Sequence, residues 1–156
     1  MSNERLRMML YMHEGERLIV YDDANPKAVI KPGYVVRGNL TIGVGRNLMG
    51  RGITSAESSQ LLENDIEAVR SDLLSALPWF EKLDEVRQAV LIDMCFNMGL
   101  GSRASGKGLL GFQRTLSLIS TRQFDKAAES MLASRWAKQV GSRATRLAKM
   151  MLTGAW

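Results

Sequence analysis

The chain has little with which to cross-link itself or to hold a metal: its 156 residues include one cysteine, Cys95, and one histidine, His13. A single cysteine closes no disulfide within the chain, and without a cluster of ligands at metal-binding spacing a zinc mechanism is set aside. Neither a metal nor a cofactor is expected. Cys95 lies in the apolar run Val90-Leu91-Ile92-Asp93-Met94-Cys95-Phe96, the setting of a buried packing thiol rather than a reactive one. Long hydrophobic runs are also missing, for no stretch approaches the roughly 20 apolar residues of a membrane span. Met1 to Met12 interrupts its apolar pattern with Glu4, Arg5 and Arg7, so the apolar core and small-residue cleavage site of a signal peptide are lacking. These absences predict a soluble protein made in the cytoplasm without a signal peptide, with no stable membrane insertion. Any chemistry has to come from carboxylates, hydroxyls or amides.

What is present is enough apolar material, 46% of the residues, to bury a core in one domain without a disulfide or metal. The net charge of +5 is unevenly placed. From Gly101 onward ten Lys or Arg stand against only Asp125 and Glu129, so the C-terminal third should attract a polyanion.

Three textures follow one another. Leu6, Met9, Leu10 and His13 form a helical stripe that ends at Glu14, with Gly15 as the residue past the helix end. From Arg17 to Val44 come short β-rich runs (Leu18–Tyr21, Tyr34–Val36, Leu40–Ile42) broken by Asn25-Pro26, Pro32-Gly33 and Gly38-Asn39, which predict a small antiparallel sheet of three strands. Thr54 with Glu57 is a capping-box signature opening a helix to Pro78, about 33 Å long at 1.5 Å per residue. Asp84 caps a further helix to Met98; a glycine-rich loop follows, and then helical stripes at Phe112/Leu116/Ile119, Phe124/Ala128/Met131 and Leu147/Met150/Met151. The expected class is α+β in a single domain, 1–156: an N-terminal lobe of about 14–53 with the short sheet, a long linking helix of about 55–77, and an all-helical C-terminal lobe of about 78–156 that helix 3–14 joins.

The informative segment is Glu14-Gly15-x-Arg17-Leu18-x-x-Tyr21-x-Asp23, followed by Thr41-Ile42-Gly43-x-Gly45. This pattern resembles the active-site signature of the phage-type lysozymes, the family of the T-even phage enzyme. The likeness continues through Phe96-Asn97-Met98-Gly99, Gly111-Phe112, Ala127-Ala128, Ser134-Arg135-Trp136, Gln139, Arg143 and Thr153-Gly154-Ala155-Trp156. The resemblance implies a lysozyme-like fold and hydrolysis of the β-1,4 bond between N-acetylmuramic acid and N-acetylglucosamine in bacterial peptidoglycan. It implies Glu14 as general acid, Asp23 as general base or water-positioning carboxylate, and Thr41 as the hydroxyl that holds the water. Asn97, Met98 and Gln139 carry over as substrate-cleft residues, and Arg143 as the arginine that reaches the catalytic glutamate. The partners implied are peptidoglycan and a holin for passage through the inner membrane, with no nucleic acid; a monomer is expected, acting on the wall from the periplasm or carried in the phage particle.

The residue types suit that chemistry. Glycoside cleavage requires a proton donor to the leaving oxygen and a second carboxylate across the oxocarbenium-like transition state. A carboxyl in the last turn of a helix faces the negative end of the macrodipole, a placement that suits a proton donor. Asp23 follows beyond one short strand, so a strand doubling back along the helix end brings the two carboxyls to opposite sides of one cleft. A threonine beside them points to a housed water, hence to carboxyls about 6.5–9.5 Å apart and inversion at the anomeric carbon. Glu16 and Asp22 are competing carboxylates outside the motif positions. Gly43 and Gly45 either admit a sugar or make a tight hairpin; Arg143 either reaches Glu14 or is a solvated arginine; Trp79 and Trp136 fit core better than sugar platforms.

Two departures from the family matter. Its acidic residue before the catalytic glutamate is His13 here, which is expected to leave Arg146 without that partner. The connection Ala24–Leu40 is longer than in the T-even phage enzyme and the one from Leu48 to Thr54 shorter, so the rim of the cleft is redrawn. A lytic transglycosylase, which works with one glutamate, is the enzyme alternative that Asp23 and Thr41 argue against. The non-enzyme alternative, a basic helical nucleic-acid binder, needs no such carboxylate pattern.

Overall fold

The computed structural model describes residues 3–156, which divide into two compact units, one ending at Ser59 and one running over Gln60–Trp156. The described residues form a mostly helical α+β fold with one three-stranded antiparallel sheet near the N-terminus.

In the N-terminal unit, α1 (Glu4–Glu14) ends where the sequence predicts, Gly15 taking φ 69° and returning its N–H to the Tyr11 carbonyl. Its apolar stripe is not buried within that unit. Strand β1 (Arg17–Asp22) pairs with β2 (Leu40–Gly43), Tyr21 opposite Thr41 and Asp22 opposite Leu40, and β2 pairs with β3 (Arg46–Asn47). Gly43 and Gly45 turn β2 into β3 in a tight hairpin around Val44, with φ 66° and 72°. The expected strand at Tyr34–Val36 is absent; the third strand is β3 instead. The reason is Asp22, whose buried carboxylate accepts from the Tyr34 hydroxyl (2.8 Å) and from the N–H groups of Arg37 (2.7 Å), Gly38 (2.9 Å) and Ala24 (3.0 Å). The Tyr34 N–H meanwhile turns back to the Lys31 carbonyl (2.9 Å), a local turn that competes with strand pairing.

Helix α2 (Ser55–Ala76) opens with the predicted capping box: the Glu57 carboxylate accepts from the Thr54 N–H (2.7 Å), and the Thr54 hydroxyl from the Glu57 N–H (3.2 Å). Arg46 grips the same carboxylate with two bonds, 2.6 and 2.9 Å, which fastens β3 to the start of α2.

The C-terminal unit contains α3 (Glu85–Met98), α4 (Gln113–Ser120), α5 (Phe124–Leu132), α6 (Arg135–Val140) and α7 (Ser142–Thr153). Asp84 caps α3 through the Arg87 N–H (3.0 Å), as expected, and the six-residue α6, capped by Ser134, is an element that the periodicity does not announce. Leu73, Phe80, Val90, Leu91, Met94, Ile119, Met131 and Met151 build one apolar core, with Cys95 inside it as a packing thiol. Burial pushes the Cys95 thiol above its ordinary pKa, which keeps it inert.

Arg87 fastens the ends of α3 and α7. Its guanidinium pairs with Asp84 (2.6 Å), donates to the last carbonyls of α7 at Met151 (2.8 Å) and Leu152 (2.9 Å), and stacks 3.8 Å from the Phe124 ring centroid. Arg87→Gln is expected to lower the unfolding free energy of the C-terminal unit by about 2–4 kcal/mol, since charged hydrogen bonds and a ring contact are lost together. Urea unfolding followed by near-UV circular dichroism checks this. A loss below about 1 kcal/mol, the scale of one exposed ion pair, would reduce the arginine to a surface charge.

Candidate active site

The N-terminal unit assembles three of the residues singled out in the sequence around its sheet. Glu14, the last residue of α1, lies exposed against the β2–β3 hairpin, close enough that a methyl group at Gly45 would sit 3.5 Å from Glu14 Oε2. Among the described residues of its unit the Glu14 carboxyl has no hydrogen-bond partner. Asp23 follows the end of β1, and Thr41 is buried on β2.

Asn39, just before β2, joins the last two. Its N–H donates to Asp23 Oδ1 (2.6 Å) and its side-chain amide to Asp23 Oδ2 (3.0 Å), while its carbonyl accepts from the Asp23 N–H (3.0 Å) and from the Thr41 hydroxyl (3.3 Å). The Asn39 N–H and then its side-chain amide hold the Asp23 carboxyl below its ordinary pKa, against partial burial and the neighbouring Asp22 charge. Gly38 makes this approach possible, because a Cβ there would collide with Asp23 Oδ1 and lie 2.8 Å from the Ala24 backbone nitrogen.

The neighbouring carboxylate has a different task. Asp22 is fully buried, and its pKa is lowered first by the Arg37 N–H, with the Tyr34 hydroxyl and the Ala24 and Gly38 N–H groups adding to it and burial opposing. With its oxygens taken by four donors, Asp22 anchors the chain and leaves Asp23 as the carboxylate at the surface.

The other residues singled out belong to the C-terminal unit. Asn97 and Met98 close α3; Asn97 Oδ1 accepts from the buried Trp136 indole (2.9 Å), and Met98 packs partly against the core. Trp136 is core, as expected, and stacks edge-on to Phe112 at 6.1 Å. Gln139 is exposed on α6, the same short helix as Trp136. Arg143 pairs with Asp93 (2.8 Å), a partner that sequence reasoning did not consider.

Sequence reasoning passed over Asn39 and Gly38, which it counted only as a turn between strands. The available signal was a Gly-Asn pair one residue ahead of the motif threonine. Asn39→Ala is expected to move the acid limb of any Asp23-dependent activity to higher pH, because fewer donors then favour the carboxylate, and to lower kcat roughly tenfold with little change in KM. Asn39→Asp, which puts a second negative charge beside Asp23, should move the limb further the same way. A pH–rate profile on an uncharged oligosaccharide tests both, and an acid limb that stays in place in both variants counts against the positioning role.

A family model described as phage lysozyme matches residues 12–150 of the chain. The chain is 29% identical over 168 aligned residues to the pre-baseplate central spike protein of Enterobacteria phage T4, a match covering 97% of this chain and 28% of that protein. It is 27% identical to probable T4-type lysozyme 1 of Dictyostelium discoideum, over 96% of this chain and 94% of that protein, and a second Dictyostelium protein, probable T4-type lysozyme 2, matches at the same identity and coverage.

Proposed function

The chain belongs to the phage lysozyme family, and on that footing we propose that it is a glycoside hydrolase that cuts the β-1,4 bond between N-acetylmuramic acid and N-acetylglucosamine in bacterial peptidoglycan. The observation that carries this reading is the unlike setting of two carboxyls in one small unit. Asp23 is gripped by two N–H donors, as a base that must stay ionised requires, whereas the Glu14 carboxyl stands unbonded over the bare backbone of Gly45, where a sugar oxygen can reach it.

In this mechanism Glu14 protonates the leaving glycosidic oxygen while Asp23 takes a proton from the attacking water. The Thr41 hydroxyl gives its hydrogen to the Asn39 carbonyl, so its lone pairs accept from that water and turn the second hydrogen toward Asp23. Asn97, with Oδ1 occupied by Trp136, offers its amide hydrogens to an acetyl carbonyl. Met98 supplies an apolar surface beside it, and Gln139 and Arg143 add polar contacts to the glycan and its acidic substituents.

Digestion of purified peptidoglycan tests the reading. Mass spectrometry is expected to find reducing N-acetylmuramic acid ends, and NMR of the first-formed product the α anomer, as inversion demands. Anhydro-muramyl ends would replace the hydrolase with a transglycosylase, and a first-formed β anomer would make Asp23 the nucleophile.

A further inference from the structure

The proposed reaction leaves one face of the N-terminal unit without a task. Strand β1 and the connection that follows it enclose an apolar groove of about 760 Å³, lined by Arg17, Leu18, Ile19, Pro26, Val29 and Ile30 among others. Its aliphatic side chains project outward: Leu18 is 78%, Ile19 82% and Val29 75% exposed. Single exposed apolar residues are ordinary on a soluble surface, but a contiguous set marks an interaction site. The groove is also braced. Arg17 donates to the Pro26 carbonyl (2.6 Å) across it and lies 4.6 Å from the Tyr21 ring centroid, which holds the connection against the strand.

The charges at its rim choose the occupant. Arg17 lines the groove, and the exposed Lys27 and Lys31 are the chain neighbours of its lining residues Pro26, Ala28 and Ile30. Of the nearby acids, Asp22 is buried and saturated with donors, and Glu14, Glu16 and Asp23, though exposed, do not line the groove. A glycan would need side-chain donors and acceptors where this groove offers branched aliphatic tips. A second copy of the face would bring like cations together. Aliphatic tips with Arg17 among them and Lys27 and Lys31 beside them in the chain match a layer with phosphates at its surface and an apolar phase beneath. We infer that this face docks the protein peripherally on an anionic phospholipid bilayer. The inference is independent of the wall-cleaving reading, because it concerns other side chains and another ligand.

The test is co-sedimentation of the full chain with vesicles of phosphatidylglycerol and phosphatidylethanolamine, or of phosphatidylcholine alone. The ten cations of the C-terminal third attract anionic lipid on their own account, so the decision rests on variants of the groove. Ile19→Ser with Val29→Ser should weaken binding to the anionic vesicles about tenfold or more through lost apolar contact. Lys27→Gln with Lys31→Gln should weaken it roughly 25-fold, about fivefold for each charge. Both variants should keep the parent's circular dichroism and its rate of wall clearing. Variants that bind like the parent, or a parent that binds the two lipids equally, would overturn the assignment. So would a parent that self-associates without lipid in a way that the serine variant abolishes, which gives the face to a second copy. Loss of wall clearing by every form, with lipid binding intact, would overturn the catalytic proposal and leave this one standing.

Discussion

Glu14→Gln is expected to keep the fold and lose activity on cell walls by about 100-fold or more, the scale of removing a general acid. Glutamine preserves the shape and polarity of the side chain but has no acidic proton for the leaving oxygen. The fold has little reason to notice, since Glu14 is exposed at the end of a helix that buries none of its residues and has no side-chain hydrogen bond to lose among the described residues of its unit. Clearing of a wall suspension, alongside the thermal midpoint, separates the two effects. A variant with near-parent activity would remove Glu14 from the acid role. The next carboxyl in sequence, Glu16, would then need testing, although it already accepts from the Tyr11 hydroxyl at 3.5 Å.

Asp22→Asn is expected to act on the fold with comparable severity. An amide offers one acceptor oxygen where four donors converge, and its NH2 faces N–H groups it cannot satisfy. The melting midpoint of the N-terminal unit should fall by on the order of 10 °C, as when two or three buried hydrogen bonds go unmade in a small unit. The pH dependence identifies the cause. Because the folded carboxyl titrates below its ordinary value of 3.8, its contribution is complete above that value and is lost as pH falls through the lower folded pKa. The gap between parent and variant should therefore be widest near neutrality and narrow in acid below about pH 4. A gap that stays constant down to pH 2 would mean that the Asp22 charge does not hold the connection.

These two residues also mark how far the sequence can be read. The end of α1 at Glu14 was legible because a helix stripe and a glycine past its end coincide at one place, and each depends on neighbours a few residues away. The Thr54–Glu57 box and the Asp84 cap were legible for the same reason. Tyr34–Val36 misled because aromatic and β-branched residues report a local preference, while the conformation is settled by a carboxylate 12 to 15 residues back. The two-residue β3 and the six-residue α6 are too short for periodicity to register. Arg143 found Asp93 across 50 residues of chain, a pairing made by the packing of α3 and α7 that no local pattern encodes. Asn39 escaped notice because much of its work is done by its own N–H and C=O, which every residue possesses.

The four bonds to Asp22 pin both feet of the long connection, Ala24 on one side and Arg37 and Gly38 on the other, with Tyr34 folded in between. Whatever lies between the feet is thereby insulated from Asn39 and Thr41. A foreign peptide spliced into residues 27–33 is expected to leave the ends of the loop where they were, at the expense of the docking face that Lys27, Val29, Ile30 and Lys31 form, and doubling the length of a flexible loop adds only about 0.6 kcal/mol of closure cost. A tag, an epitope or a wall-binding peptide can be carried at that position by a working enzyme, and new specificity can be selected there without reopening the site itself.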